Sequence, residues 1–269
     1  MRLINCKSFQ LEEFLGSNIP PYAILSHTWE SEETGYQKIE YTCHQATKDE
    51  LQYAWVDTIC IDKSSSAELS EATNSMFRWY RKAKVCYAYL SDVTCTGFVA
   101  ESCKSRWFTR GWTLQELIAP FSVTFYDKNW QDLGSKRDHA RLISEITTID
   151  RSFLVQASHF EHERPFNRYS VAKRMAWAAQ RQTTRIEDMA YCLLGLFNVK
   201  IPLLYVEGEK AFVRLQEEII QANDDVSIFA WGVHEEIFES PQIPVQPGAG
   251  FSPFSISHHR SKPSEYRKF

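Results

Sequence analysis

The sequence lacks the signatures of several common classes of protein. Neither a G-x-x-x-x-G-K-[ST] loop nor a G-x-G-x-x-G loop occurs in its 269 residues, which excludes Walker-type nucleotide hydrolysis within this chain. No block of lysine and arginine stands out, and the formal net charge is -4, so nucleic acid is not an expected ligand. Internal repeats and low-complexity tracts are also missing. The 43% hydrophobic content is nevertheless that of an ordinary globular protein.

Cysteine chemistry, membrane insertion and secretion find equally little support. The seven cysteines are scattered and none forms a C-x-x-C pair, so we interpret them as reduced, mostly buried thiols. The longest apolar stretch, residues 193–206, is interrupted by polar residues and is shorter than the ~20 residues that span a bilayer. The first apolar run stops after two residues, too soon for a secretion signal. We expect no membrane span and a cytoplasmic location.

Strands and helices alternate over the first half of the chain. Apolar runs at residues 22–27, 53–60, 85–90 and 122–126 predict four strands. Between them lie patterns for a helix over about residues 36–51, a long amphipathic helix behind the capping box Ser65-x-x-Glu68, and a short helix ended by Pro120. This alternation predicts an α/β fold with a mainly parallel sheet, in which ligands bind beyond the carboxyl ends of the strands.

The second half of the chain changes character near residue 136. Helical patterns cover residues 136–148, 170–180, 186–197 and 209–222, and a strand is expected at 227–231. Five of the ten prolines follow residue 240, which disfavours helix and indicates a linker or tail. We therefore divide the chain into an α/β core at 1–135, a helical extension at 136–239 and a proline-rich tail at 240–269.

Three ordered blocks, AILSHTW at residues 23–29, WVDTICID at 55–62 and RGWTLQEL at 110–117, resemble the heterokaryon-incompatibility (HET) domain of filamentous fungi. Further matching segments are TRIEDMAY at 184–191 and EGEKAF at 207–212, so the resemblance covers nearly everything except the tail. The chain departs from the family pattern at two positions, with Lys63 where glutamine is usual and Val206 where glycine is usual.

The resemblance implies a regulated cell-death module. HET domains are similar to TIR domains, which implies a flavodoxin-like parallel sheet flanked by helices, and some TIR domains cleave the nicotinamide–ribose bond of NAD. The segment WTLQEL at 112–117 resembles the TIR block in which a tryptophan precedes the catalytic glutamate by four positions. By that match Glu116 is the expected catalytic residue and Trp112 its aromatic neighbour, with NAD as the substrate and no cofactor. Self-association and a following nucleotide-binding oligomerisation domain with a repeat sensor are also implied.

Chemistry and local structure give two interpretations of Glu116. Cleavage of an N-glycosidic bond builds positive charge on the ribose, which a nearby carboxylate can stabilise. The leaving nicotinamide is already cationic, so no strong general acid is required, and Trp112 or Trp29 could serve as an aromatic shelf. The spacing Thr113-x-x-Glu116 is also that of a capping box. Spacing alone favours the cap, and the resemblance favours catalysis.

Polar residues that follow the first two predicted strands are further candidates for ligand binding. The segment Ser26, His27, Thr28 and Trp29 could hold phosphate or ribose through hydroxyl groups and backbone amides. Its alternative is a polar turn with a buried tryptophan.

Acidic and basic residues complete the candidate site. Asp57 and Asp62 could accept hydrogen bonds from ribose hydroxyls, or they could be turn formers or structural acceptors. Arg110 could bind a pyrophosphate or form a surface ion pair. Trp79 and Tyr80 lie at core-face spacing and are assigned to the core. We expect no metal site, because the histidines and glutamates at residues 159–163 fit a solvated loop.

Two further functions compete with NAD cleavage. One is a non-catalytic death adaptor that acts through homotypic assembly. The other is a hydrolase whose nucleophile is Ser26 or Cys60, activated by His27 and Asp57, although no G-x-S-x-G nucleophile elbow supports it.

Overall fold

A computed structural model describes residues 1–16, 18–28, 35–94, 102–155 and 166–230. Its framework is a seven-stranded mixed sheet in the order β2-β1-β4-β3-β5-β6-β7. The strands are β1 (Arg2–Asn5), β2 (Leu11–Glu13), β3 (Tyr22–His27), β4 (Tyr53–Trp55), β5 (Val85–Tyr89), β6 (Val123–Tyr126) and β7 (Asp132–Ser135). The central strands β4, β3, β5 and β6 are parallel, whereas β1, β2 and β7 pair antiparallel at the two edges. The predicted α/β fold with a mainly parallel sheet is confirmed.

Helices follow the parallel strands and also form most of the second half. They are α1 (Gly35–Lys48), α2 (Asp57–Cys60), α3 (Ser66–Lys82), α4 (Arg106–Thr109), α5 (Thr113–Ile118), α6 (Ala140–Thr147), α7 (Arg151–Val155), α8 (Val171–Ala176), α9 (Asp188–Tyr191), α10 (Leu194–Phe197) and α11 (Lys210–Ala222). Within the described ranges, no helix combines the length and apolar character needed to cross a bilayer.

Strand β3 has the predicted bounds, and all six of its residues are buried. The predicted strand at residues 53–60 is wrong in its second half, because α2 begins at Asp57. The backbone amide of Cys60 donates to the carbonyl of Val56 over 2.8 Å, which closes a helical turn. A short apolar run satisfies either a strand or a buried helical turn, and here it supplies both.

The edges of the sheet and parts of the extension also differ from the prediction. Three antiparallel strands, β1, β2 and β7, were not expected from the sequence. The helix predicted from residue 136 begins only at Ala140, because residues 132–135 pair with β6 and the Lys136 ammonium is buried against the carbonyls of Leu117 and Pro120 at 3.0 and 2.8 Å. The pattern at 186–197 forms two short helices, α9 and α10.

The strand predicted at residues 227–231 is wrong, because Val226–Phe229 is a 3-10 helix. The Asp225 side chain caps it by accepting a hydrogen bond from the Ser227 amide at 3.0 Å. The helix predicted at 170–180 ends at Ala176. The proposed tail at 240–269 lies outside the described residues.

The predicted cap of α3 is present. The Ser65 hydroxyl accepts a hydrogen bond from the Glu68 amide at 3.3 Å. The Glu68 carboxylate instead binds the Asp62 amide at 2.8 Å and the Arg2 guanidinium, which ties the start of α3 to strand β1. The buried face of α3 packs against the sheet and against α10, where Gly195 meets Phe77. Helix α3 therefore joins the α/β core to the helical extension.

The cysteines that the structure describes with their side chains are buried free thiols: Cys6, Cys43, Cys60, Cys86 and Cys192. This agrees with the reduced state predicted from their scattered spacing.

Candidate functional site

Glu116 is a buried carboxylic acid at the carboxyl end of the parallel sheet. It lies on α5, and only 8% of the residue is exposed. The hydroxyl of Ser26, from the end of β3, donates a hydrogen bond to Oε2 of Glu116. The Ser26 oxygen in turn accepts a hydrogen bond from the Trp107 indole at 2.8 Å. This chain of donors fixes the position of the Glu116 carboxyl group.

The surroundings of Glu116 shift its proton affinity. Burial raises the pKa of Glu116 to about 7, from an ordinary value near 4.5, and the negative charge of Asp57 contributes to the rise. The hydrogen bond from Ser26, the positive charge of Arg110 and the neighbouring Tyr80 hydroxyl oppose the rise in pKa. The acid and the carboxylate are therefore both populated near neutral pH, and a cation bound nearby would favour the carboxylate.

The capping-box interpretation of Glu116 is wrong. Trp112 occupies the cap position of α5 in a helical conformation, and no side chain caps this helix. The Thr113 hydroxyl donates to the carbonyls of Arg110, at 2.8 Å, and Trp107. Because Glu116 is held by Ser26 on the neighbouring strand, its side chain is available to the adjoining cavity and not to the start of its own helix.

A cavity of about 160 Å³ lies beside Glu116, between the end of the sheet, helix α3 and the helical extension. Cavities of roughly 150 Å³ can hold a single benzene-sized ring. Its lining combines charged, aromatic and apolar side chains: His27, Asp57, Ile61, Lys63, Leu69, Thr73, Met76, Tyr80, Arg110, Trp112, Glu116, Asp188 and Tyr205. This mixture is typical of a pocket that binds a small ring-bearing molecule.

Five of the residues predicted for the site line this one cavity: His27, Asp57, Arg110, Trp112 and Glu116. They come from β3, α2 and the α4–α5 region, which are distant in sequence and meet because parallel strands end at the same edge. Ser26 lies behind the lining and contributes through Glu116.

Two other predicted residues, Thr28 and Asp62, fall outside the lining. The Thr28 hydroxyl lies 3.4 Å from the Ser91 hydroxyl, and its carbonyl accepts a hydrogen bond from Lys38. Asp62 accepts hydrogen bonds from the amide and hydroxyl of Ser64 at 2.9 and 2.6 Å, the geometry of the turn former that was its alternative. Trp29 lies outside the described residues, as does the histidine-rich segment at 159–163.

His27 and Asp57 form a polar pair on one side of the cavity. Nδ1 of His27 is 3.8 Å from a carboxylate oxygen of Asp57, and burial lowers the pKa of His27, which keeps the imidazole neutral near pH 7. The other carboxylate oxygen of Asp57 lies 3.5 Å from the ammonium of Lys63. Lys63, one of the two departures from the family pattern, therefore adds a positive charge to the cavity.

The serine or cysteine hydrolase finds no support in these contacts. The hydrogen bonds of Ser26 go to Glu116 and Trp107, not to His27. Burial raises the pKa of Cys60 to about 12, and its sulfur accepts the Val56 amide at 3.4 Å. An inert thiol and a serine without a histidine base are not activated nucleophiles.

The sequence did not reveal the contributions of α3 and the helical extension. Tyr80 was assigned to the core, and it is indeed buried, with its hydroxyl 2.9 Å from the Leu25 carbonyl, but the same side chain lines the cavity. Asp188 and Tyr205 come from the extension, and the Tyr205 hydroxyl donates a hydrogen bond to Oδ1 of Asp188 at 3.1 Å. The TRIEDMAY block contains Asp188 and was the available signal, although its spacing assigned no role to that residue.

Comparisons with known proteins agree with the sequence motifs. Residues 22–102 match the family described as "Heterokaryon incompatibility protein (HET)", and residues 210–265 match a domain of unknown function, DUF8212. The chain is 47% identical over 226 residues, 75% of its length, to "Vegetative incompatibility protein HET-E-1" of Podospora anserina, and spans 16% of that protein. No solved structure matches the chain. The family match and the relative together support the heterokaryon-incompatibility domain that the sequence motifs predict.

Proposed function

We propose that this chain is a regulated cell-death signalling domain that hydrolyses the nicotinamide–ribose bond of NAD, with Glu116 as the catalytic carboxylate. The observation that carries the proposal is an ionisable, buried carboxyl group, held in place by Ser26, at the wall of a cavity of ring size.

Cleavage of the nicotinamide–ribose bond requires one well-placed negative charge. As the bond between C1′ of the ribose and the ring nitrogen breaks, its electron pair neutralises the nicotinamide, and positive charge develops on the ribose. The Glu116 carboxylate stabilises that charge. Water then adds to C1′ and releases a proton, which completes the hydrolysis. The Trp112 ring lines the cavity and contacts the ring of the departing nicotinamide.

The charge state of Glu116 suits a cationic substrate. Near pH 7 the free site holds a mixture of acid and carboxylate. The nicotinamide ring of NAD is positively charged, so its binding lowers the pKa of Glu116 and produces the reactive carboxylate. Near pH 7, substrate binding thus shifts Glu116 further toward its charged form.

The cell-death role is proposed from the similarity to the Podospora anserina protein, which is named a vegetative incompatibility protein. This chain spans only 16% of that protein. We also propose that the chain is activated by self-association and that it is fused to a nucleotide-binding oligomerisation domain.

Release of nicotinamide from NAD by the purified chain tests the proposal. We expect turnover in the unmodified chain and a loss of about 10²–10³-fold in kcat for Glu116→Gln, since the variant keeps the shape of the side chain but loses its charge. Glu145→Gln, on the exposed face of α6, is the matched control and should retain full activity. Absence of turnover at high protein concentration, with cell killing that survives Glu116→Gln, would instead establish the non-catalytic adaptor.

A further inference from the structure

The helical extension contributes a second carboxylate to the cavity. Asp188 is the first residue of α9 and is partly buried at the cavity wall. The Tyr205 hydroxyl donates a hydrogen bond to Oδ1 of Asp188 at 3.1 Å. Burial raises the pKa of Asp188, and the Trp112 side chain, which lines the same cavity, opposes that rise. Asp188 therefore holds one ring of the extension and is favoured as a carboxylate by a ring of the α/β core.

Glu187, the neighbour of Asp188 in sequence, has a different structural role from Asp188. Oε1 of Glu187 accepts hydrogen bonds from the backbone amides of Val206 and Gly208 at 2.7 and 3.1 Å, and so holds the turn before α11. Asp188 binds Tyr205, a side chain that lines the cavity. The turn held by Glu187 also positions Tyr205, the ring that Asp188 contacts.

A carboxylate that accepts a hydrogen bond from a phenol O–H makes the aromatic ring richer in electrons. Such a ring attracts a cation more strongly through its face. The Arg185 guanidinium already lies 4.5 Å from the centre of the Tyr205 ring, which shows that this ring accepts a cation. Trp112 supplies a second aromatic ring to the same cavity.

The charged side chains of the cavity also favour a cationic ligand. Asp57 has the ammonium of Lys63 at 3.5 Å as a partner of opposite charge. Asp188 accepts a hydrogen bond from a neutral donor, Tyr205, while the positive charges of Arg185 and Arg110 act on it as well. Asp188 thus supplies negative charge to a cavity that the rings of Trp112 and Tyr205 also line.

We propose that Asp188 is a specificity-determining residue: by holding and polarising Tyr205, and by placing a negative charge in a cavity that Trp112 also lines, it makes the cavity prefer a cationic pyridinium ring to the neutral ring of the same shape. This rests on the proposed function in that the cavity is taken to receive the nicotinamide ring. It predicts that the oxidised dinucleotide binds more tightly than its reduced, uncharged-ring form.

Binding of two small probes tests the inference without any turnover. Titration calorimetry would compare 1-methylnicotinamide, a cation, with nicotinamide, which is neutral. We expect the unmodified chain to bind the cation at least about tenfold more tightly, a difference of about 1.4 kcal/mol. Asp188→Asn keeps an oxygen acceptor but removes the charge, and should reduce this ratio to below threefold. Asp150→Asn, which alters a partly exposed pair with Lys173 outside the cavity lining, should leave the ratio unchanged.

A second variant guards against a folding defect in Asp188→Asn. Tyr205→Phe removes one donor and retains the negative charge, so it should weaken both probes while largely preserving the preference for the cation. An equal affinity for the two probes in the unmodified chain, absence of binding by either, or an unchanged ratio in folded Asp188→Asn would overturn the inference.

Nicotinamide release from NAD, measured on the same preparations, separates this inference from the proposed function. Turnover combined with an Asp188-independent ratio overturns the inference alone. An Asp188-dependent ratio without any NAD cleavage overturns the proposed reaction alone.

Discussion

The end of the sheet and the helical extension each bring one carboxyl group to the cavity, but they hold it differently. Glu116 is buried and bound by a serine hydroxyl, which belongs to a chain of donors that continues to Trp107. Asp188 is only partly buried and accepts a hydrogen bond from the hydroxyl of one aromatic side chain, Tyr205. Burial raises the pKa of both groups, and it brings that of Glu116 to about 7. We therefore propose that the same functional group serves the reaction in one wall of the cavity and recognition in the other.

A substitution at the contact between α3 and α10, which connects the two regions, should have the largest effect on stability. A Cβ atom added to Gly195 of α10 would lie 2.0 Å from Cβ of Phe77 on α3. Gly195→Ala must therefore push the extension away from the core, and we expect it to lower the free energy of unfolding by more than about 3 kcal/mol. Urea unfolding followed by fluorescence would measure this.

Gly16→Ala is the control for this substitution. Gly16 has a φ of +68° and no heavy atom within 4 Å of the added Cβ, so only backbone strain of about 1–2 kcal/mol applies. If Gly195→Ala proved no more harmful than Gly16→Ala, the extension would not be packed tightly on the core.

The buried state of Glu116 predicts a pH-dependent stability. Its pKa is near 4.5 when unfolded and about 7 when folded, so between these values the folded chain binds more protons than the unfolded chain. Stability relative to Glu116→Gln must therefore fall as the pH rises from about 4.5 to 7, by about 3 kcal/mol in total. Urea unfolding of both proteins at pH 5 and pH 8 would detect the change.

The exposed variant Glu145→Gln, whose carboxylate pairs with Arg141, should show no comparable dependence. A constant difference in unfolding free energy between the unmodified chain and Glu116→Gln across this range would mean that Glu116 is not held in a dehydrated environment.

The smallest expected effect concerns the turn that supports the wall of the extension. Val206 has a φ of +87° and is 97% exposed, so its side chain gains little from burial while its backbone is in the left-handed region. Val206→Gly relieves that strain at some cost in chain entropy, and should raise the free energy of unfolding by about 0.5–1 kcal/mol.

Val213→Gly, in the exposed part of α11, provides the opposite case and should lower the free energy of unfolding by about 0.5 kcal/mol. Thermal melts would resolve both changes. A lower melting temperature in Val206→Gly would show that the Val206 backbone is not strained.

Much of this comparison could be predicted from the sequence, but unevenly. The central strands could be predicted because parallel strands are apolar throughout. The antiparallel edge strands are short and mixed in composition, and they were not predicted. Asp57 was placed at the end of a strand and instead begins a helix, yet it reaches the cavity because both arrangements end at the same sheet edge.

The candidate site was predicted best where a chemical motif lay on the sheet. Spacing suggested that Glu116 caps a helix, and only the fold shows that the Ser26 hydroxyl, 90 residues away, binds it instead. The contribution of Asp188 and Tyr205 depends on the docking of the extension, a long-range contact that local spacing does not encode. Tyr80 illustrates a third case, in which a core residue also lines the cavity.

The pH dependence of nicotinamide release from NAD tests the central claim most directly. In the unmodified chain, kcat/KM should rise with pH through an apparent pKa of about 7, as Glu116 ionises, and then reach a plateau. Ser26→Ala should move that midpoint to higher pH, because the hydroxyl that favours the carboxylate is lost. A rise through pH 7 that persists unchanged in Glu116→Gln would contradict the account.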